Sequence, residues 1–92
     1  MSTCHNLKTW PDEFRAVVSG EKSHEVRNND RLFKVGDFLV LQEFNPVSAH
    51  YTGNYVTKVV TYVTRGGTFG LLEGTVVMSI SDPPCQDLRN LK

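Results

Sequence analysis

The sequence is poor in the features that define several large protein classes. It has only two cysteines in 92 residues, and no apolar run approaches the roughly 20 residues that a membrane helix needs. Its first ten residues are polar, unlike the start of a secretory signal peptide. We therefore expect a cytoplasmic protein without a membrane segment, in which Cys4 and Cys85 are free thiols.

Several catalytic and metal-binding motifs are also missing. The sequence has no C-x-x-C pair, and His5, His24 and His50 do not have the spacing of a zinc site. There is no G-x-S-x-G nucleophile elbow. No lysine–serine or lysine–threonine pair follows glycines at the spacing of a Walker-type phosphate loop. We therefore expect neither a metal ion nor another cofactor.

Charge of one sign is not in excess. Ten Lys and Arg residues balance ten Asp and Glu residues, and residues 1–35 carry six basic against five acidic side chains. A protein that binds long duplexes by counterion release is usually more basic. Any anionic ligand would therefore be short and would have to meet a local cluster of cations.

The pattern that is present describes one small domain with a single main helix. The helix is predicted over residues 11–20, because proline is tolerated in a first turn and Gly20 is a typical C-terminal stop. Thr9 and Asp12 have capping-box spacing. Four apolar residues recur at helical intervals and predict one buried stripe: Trp10, Phe14, Val17 and Val18.

The rest of the chain predicts strands and turns. A short helical turn is expected at residues 31–34 and a loop at residues 45–54. Strands are predicted at residues 5–9, 22–27, 38–44, 55–65 and 75–80. This order of one strand, one helix and several strands predicts an α+β fold, a small mixed β-barrel with the helix packed against it. The core of the domain is expected at residues 5–81, with a polar, mobile tail at 82–92.

The most informative segment is GEKSHEVR, residues 20–27, with the spacing G-x-K-x-x-E-x-R. Glu25 and Arg27 share one face of an extended strand. The glutamate can accept a hydrogen bond from a nucleobase and the arginine can bind phosphate, while Lys22 can reach the same space as a cation, base or nucleophile. Alternatively, Glu25 and Arg27 form a structural ion pair that closes one end of the barrel. Local chemistry leaves both interpretations open.

Three further features carry alternatives of the same kind. Lys8 ends the first predicted strand and is expected near the mouth of such a cleft. Trp10 can stack on a base, but packing within the helical stripe is favoured. The glycine-rich loop at residues 66–70 is interpreted as a hairpin connection that needs positive φ; its backbone amides could alternatively bind a phosphate.

Together these segments resemble the ASCH domain of the PUA-like superfamily of small RNA-binding barrels. The resemblance is carried by the H-x-L-K-T strand, the helix, the G-x-K-x-x-E-x-R signature, the Val-Gly-Asp turn and the Val-Val-Met-Ser-Ile strand, over residues 5–81. It is greatest with short, stand-alone bacterial and phage proteins. It implies a cleft beside the main helix, lined by Lys22, Glu25 and Arg27, that binds single-stranded RNA or a nucleotide.

The resemblance also implies two other functions. Some ASCH members hydrolyse an acylated cytidine nucleoside, and a ribonuclease activity has been described for another. The amidohydrolases use the signature lysine together with a threonine and a distal glutamate. In this sequence the lysine is Lys22, and Glu25 stands at the position of the threonine. Glu73 is a candidate for that glutamate only by its order in the chain, and the departure at Glu25 speaks against amide hydrolysis. A third hypothesis is a phage or bacterial protein-interaction module.

Overall fold

The computed structural model describes residues 2–83, so that Cys85 and most of the predicted tail lie outside the described part. One helix and five strands follow each other along the chain: β1 (Cys4–Thr9), α1 (Pro11–Ser19), β2 (His24–Asn28), β3 (Phe38–Asn45), β4 (His50–Arg65) and β5 (Thr75–Ser81). The strands form one sheet in the order β1-β3-β4-β5-β2. Strands β1 and β3 are parallel, and the other neighbours are antiparallel.

The sheet curls into a half-barrel, with α1 packed against β3. The predicted small α+β fold with one main helix is therefore confirmed. Burial of apolar side chains inside the curl supplies the main driving force for folding. The buried apolar residues come from every element except β2: Leu7, Val17, Phe33, Leu39, Leu41, Val60, Val76, Met78 and Ile80.

Helix α1 begins at Pro11 and ends before Gly20, as predicted, but its N-terminal cap differs from the prediction. Gly20 adopts φ 89°, and its N–H donates to the Val17 carbonyl at 3.1 Å, as expected for a glycine stop. The N-cap, however, is Trp10, without a side-chain cap hydrogen bond. The buried Thr9 hydroxyl instead donates to the Leu7 carbonyl at 3.4 Å. The predicted capping box is wrong because Thr9 is still part of β1.

The apolar stripe of α1 is narrower than predicted. Val17 is buried and Phe14 is half-buried, whereas Trp10 and Val18 are each 57% exposed. The nine-residue helix packs mainly on β3. Side chains that do not face β3 therefore remain exposed to solvent. In the described part of the chain, no helix is long and apolar enough to cross a membrane.

The β3–β4 connection is shorter than predicted. Strand β3 extends to residue 45 and β4 begins at residue 50, both inside the loop predicted for residues 45–54. Residues 46–49 alone form the turn. The Asn45 side-chain oxygen accepts hydrogen bonds from the amides of Val47 at 2.9 Å and Ser48 at 3.3 Å. The Ala49 amide donates to the Asn45 carbonyl at 2.8 Å. An asparagine side chain thus takes over the role of a backbone turn, which a loop prediction based on composition does not detect.

A bend at residues 29–31 replaces the helical turn predicted for residues 31–34. The Phe33 amide donates to the Asn29 side chain at 3.3 Å, and the Lys34 amide donates to the Asp37 carboxylate at 3.0 Å. These side chains satisfy backbone donors that a helix would have paired internally. The prediction was wrong because Asn and Asp side chains compete with helical hydrogen bonds.

The open side of the half-barrel lies between its two edge strands, β1 and β2. Arginine side chains bridge this seam. Arg27 Nη2 donates to Thr9 Oγ1 at 3.3 Å, and Arg31 Nη1 donates to the Asn6 carbonyl at 3.0 Å. The seam is therefore joined by long polar side chains, which leave space for a cavity.

Candidate functional site

A cleft of about 540 Å³ lies where the end of β1, the start of α1 and strand β2 meet. We call it the signature cleft. All five residues proposed from the sequence to bind RNA lie in its wall, so the fold brings them together. Its lining consists of Lys8, Thr9, Trp10, Glu13, Lys22, His24, Glu25, Val26 and Arg27.

Lys22 reaches the cleft because the chain reverses at Gly20. The Lys22 amide donates to the Ala16 carbonyl at 3.0 Å, which fixes the backbone beside the helix end. Its side chain then runs back towards the first turn of α1, where Nζ hydrogen-bonds to Glu13 Oε1. This hydrogen bond, with the positive charge of Lys22, lowers the pKa of the Glu13 carboxyl from its ordinary value.

Glu25 is a buried carboxylate in which one oxygen is hydrogen-bonded and the other, also buried, has no hydrogen-bond partner among the described residues. Its β-sheet partner is Met78 of β5, a core residue, so its side chain points to the inner face of the curl. Oε1 accepts a hydrogen bond from Arg27 Nε at 3.0 Å. Oε2 has no hydrogen-bond partner within the described residues, since Lys22 Nζ is 3.8 Å away. Such an oxygen favours a ligand that donates an N–H or O–H.

Arg27 fits both interpretations that local chemistry left open. It forms the predicted ion pair with Glu25 and also donates to Thr9 across the seam, as a structural residue would. Its side chain nevertheless remains 24% exposed and lines the cleft. Lys22, Glu25 and Arg27 thus partly neutralise one another without filling the cavity.

Trp10 and Lys8 lie on the β1 side of the cleft. The exposure of Trp10 contradicts the favoured interpretation, in which it packs within the helical stripe, and leaves its indole available as a cleft wall. Lys8 Nζ lies 4.2 Å from the centroid of the Phe44 ring, a cation–π contact that orients this exposed lysine. Its expected place near the cleft agrees with the structure.

Glu13 is the main cleft residue that sequence reasoning missed. An acidic residue in a first helical turn is fully explained by the helix dipole, so nothing marked it as part of a site. A nine-residue helix that ends in a glycine reversal, however, returns the chain along its own side. This geometry could have predicted a contact between Glu13 and Lys22.

Two other candidates lie outside the cleft. Glu73 is exposed in the β4–β5 connection and does not line it. In the glycine-rich loop, the amides of Gly66 and Gly67 donate to the carbonyls of Thr75 at 2.6 Å and Leu71 at 2.9 Å. These amides are therefore engaged in the hairpin connection. Within residues 2–83, no group of three His, Cys, Asp or Glu side chains could hold a metal ion.

A second cavity, of about 410 Å³, adjoins the first. We call it the outer groove. Trp10 and Glu13 line both cavities and therefore form the boundary between them. The remaining lining of the outer groove comes from the start of α1 and the β3–β4 turn: Pro11, Asp12, Asn45, Pro46 and Val47.

Comparison with known proteins assigns the chain to a family. The family described as "Domain of unknown function (DUF3850)" matches residues 4–80, and the chain therefore belongs to it. An "Uncharacterized 12.9 kDa protein in GpA 3'region" of Escherichia phage P2 is 36% identical over 64 residues. The match covers 70% of this chain but 57% of the phage protein, so the chain spans little more than half of that relative.

Proposed function

We propose that this DUF3850 domain binds single-stranded RNA, or one nucleotide of it, in the signature cleft. The observation that carries the proposal is the carboxylate of Glu25, a residue in the cleft wall whose buried Oε2 has no hydrogen-bond partner among the described residues. Nucleobases carry amino and imino donors on their edges, and a protein carboxylate reads these by accepting hydrogen bonds. Glu25 would therefore contact the base.

The other walls suit the remaining parts of a nucleotide. Lys22 and Arg27 supply charge for a phosphate, and the exposed indole of Trp10 supplies a surface on which a base can stack. The cleft volume of about 540 Å³ lies within the range of about 300–1,000 Å³ that is usual for small-ligand sites. One nucleotide is thus a ligand of suitable chemistry and size.

The charge balance of the cleft argues for weak, local recognition. Three cationic residues, Lys8, Lys22 and Arg27, face two carboxylates, Glu13 and Glu25. A single excess positive charge attracts one or two phosphates and not a long polyanion. We expect affinities of about micromolar strength, or roughly −8 kcal/mol.

We also propose that the half-barrel is a PUA-like barrel of the ASCH type. The convergence of the G-x-K-x-x-E-x-R residues on one cleft beside the main helix supports this assignment. The five-stranded mixed sheet agrees with it in general architecture. The family match by itself leaves the superfamily open.

Titration with short single-stranded RNA oligonucleotides tests the proposal, with fluorescence anisotropy as readout. The protein should bind saturably, and Lys22→Ala should weaken binding by about tenfold or more, as loss of a charge-assisted hydrogen bond predicts. Lys34→Ala is the matched control, because Lys34 is exposed and lies outside the cleft. Equal binding by folded wild-type and Lys22→Ala protein would refute the proposed site.

Glu13→Gln is expected to change affinity in the opposite direction. It removes the carboxylate that competes with a ligand phosphate for Lys22. Because exposed ion pairs contribute about 0–1 kcal/mol, binding should tighten by up to about fivefold. Glu21→Gln, an exposed glutamate outside the cleft, should leave affinity unchanged. Weaker binding by Glu13→Gln would show that Glu13 contacts the ligand favourably.

The two other hypotheses have separate tests. Incubation with acylated cytidine and with RNA, followed by product analysis, tests hydrolysis; turnover that is lost in Lys22→Ala would favour an enzyme. Affinity capture from a cell extract tests the protein-interaction hypothesis. Recovery of RNA without a protein partner would weaken it.

A further inference from the structure

We propose that the outer groove is a second base-binding subsite, so that the ligand spans two nucleotides with Trp10 between their bases. This inference rests on the proposed function of the signature cleft and specifies its ligand further. It starts from the position of Trp10, which borders both cavities while more than half of its surface is exposed.

An exposed tryptophan between two cavities is suited to stacking. It is the residue that joins β1 to α1, so its backbone is held by an element on either side. The Phe14 amide donates to its carbonyl at 2.8 Å, which begins the helix. A rigid aromatic ring that solvent reaches from two cavities can contact one base in each, because every base has a stacking face.

The far wall of the outer groove is also held in place. Val47 is 94% exposed and therefore contributes almost nothing to the core. Its amide nevertheless donates to the Asn45 side chain within the tight β3–β4 turn. The turn thus contributes two apolar side chains, Pro46 and Val47, to the same cavity that Trp10 lines. A cavity of about 410 Å³ with apolar side chains in its wall suits a flat, uncharged ring.

The charges of the two cavities differ, and this difference orients the ligand. The signature cleft contains Lys8, Lys22 and Arg27, whereas the described lining of the outer groove contains the carboxylates of Asp12 and Glu13 and no cation. Both carboxylates are ion-paired, Asp12 with Arg15 and Glu13 with Lys22, so the described lining of the outer groove offers no cation to a phosphate, and the signature cleft attracts it more strongly. The outer groove accepts an uncharged base, while the connecting phosphate stays on the Lys22 side.

The experiment compares two probes of equal charge. One is a dinucleoside monophosphate, and the other is the matching nucleoside methyl phosphate, which lacks the second nucleoside; both phosphate positions, 5′ and 3′, are tested. Since one stacked base contributes about 1–3 kcal/mol, the dinucleoside should bind about 5- to 150-fold more tightly. Calorimetric titration of the full chain measures both affinities.

Val47→Ser separates the outer groove from the signature cleft. Loss of about one buried methyl group should weaken dinucleoside binding by about fourfold and leave methyl phosphate binding unchanged. Val35→Ser is the matched control, because Val35 is 61% exposed and lines neither cavity. Trp10→Ala should weaken the binding of both probes, and it should weaken dinucleoside binding more strongly.

The possible outcomes distinguish this inference from the function on which it rests. If both probes bind equally in wild-type protein, the second subsite is refuted and nucleotide binding in the signature cleft stands. If Val47→Ser weakens both probes equally, the groove does not hold a separate base. If neither probe nor any RNA oligonucleotide binds, both proposals are overturned.

Discussion

At the scale of single residues, two buried carboxylates differ in how completely they are paired. Asp37 accepts hydrogen bonds from the Thr3 amide at 3.1 Å, from His5 Nε2 at 2.9 Å and from the Lys34 amide at 3.0 Å. Glu25 has one oxygen paired and one without a partner in the described residues. A carboxylate with both oxygens paired serves the fold, whereas a half-paired one beside a cavity can serve a ligand.

The first prediction concerns Asp37→Ala, which leaves three donors without their acceptor. The free energy of unfolding should fall by about 2 kcal/mol or more, since an unsatisfied buried donor such as His5 costs about 1–3 kcal/mol and the two part-buried amides, of Thr3 and Lys34, add less. Urea denaturation measures the change. Asp30→Asn, a change at an exposed carboxylate, is the control and should be nearly neutral. A loss below about 1 kcal/mol would contradict the structural role of Asp37.

Asp37 also gives a pH dependence with a defined sign. Burial alone would raise the pKa of its carboxyl, but hydrogen bonds from His5, Thr3 and Lys34 outweigh burial and lower the pKa below the ordinary 3.8. The stabilisation by Asp37 is therefore complete above the unfolded-state pKa and is lost as pH falls through the lower folded-state pKa. The free energy of unfolding, measured from about pH 7 to pH 3, should fall less steeply towards acid pH in Asp37→Asn than in the wild-type protein.

At the scale of elements, the β4–β5 connection shows that neighbouring glycines have different reasons to be glycine. A Cβ on Gly66 would lie 1.9 Å from the Leu72 carbonyl oxygen, so close backbone approach excludes any side chain. A Cβ on Gly67 would meet open space among the described residues, but Gly67 adopts φ 92°, a conformation that residues with a side chain disfavour. The loop is thus shaped by packing at one residue and by conformation at the next.

This difference predicts unequal effects of two alanine substitutions. Gly66→Ala should lower the free energy of unfolding by about 3 kcal/mol, because the Leu72 backbone must move. Gly67→Ala should cost about 1–2 kcal/mol from the left-handed conformation alone. Chemical denaturation of both variants measures the two losses in free energy of unfolding. Circular dichroism checks that each variant keeps its helix and sheet. Equal losses would contradict the close approach at Gly66.

At the scale of the whole molecule, the neutral charge limits how the protein can hold a polyanion. Ten basic residues balance ten acidic residues in the whole chain. Within this total, the signature cleft has one more cation than carboxylates. Two of the arginines also bridge the seam between β1 and β2, so part of the positive charge has a structural task. The molecule is therefore suited to a short ligand held at one place.

The whole-molecule prediction is a shallow salt dependence of RNA binding. Each contacted phosphate of a single strand contributes about −0.7 to the slope of log K against log salt, so one or two phosphates give about −1. Lys22→Ala should make the slope less negative by about 0.7, and Lys34→Ala should leave the slope unchanged. A slope steeper than about −4 would indicate a basic surface spread beyond the cleft.

Features that depend on neighbours along the chain could be predicted from the order of the amino acids. Gly20 ends the helix, Glu25 and Arg27 share one strand face, and the strand cores at residues 38–44, 55–65 and 75–80 lie within β3, β4 and β5. Periodicity and glycine conformation act within a few residues, so they can be predicted without knowledge of the fold.

Contacts between distant segments set which side chains remain uncovered and which cavities they share. Trp10 follows the helical stripe in sequence but lies beyond the line on which α1 packs against β3. Glu13 meets Lys22 through the reversal after α1, and the pairing of Glu25 with Met78 of β5 places Glu25 in the wall of the same cleft. Burial depends on contacts between distant segments, and such contacts carry no local signal.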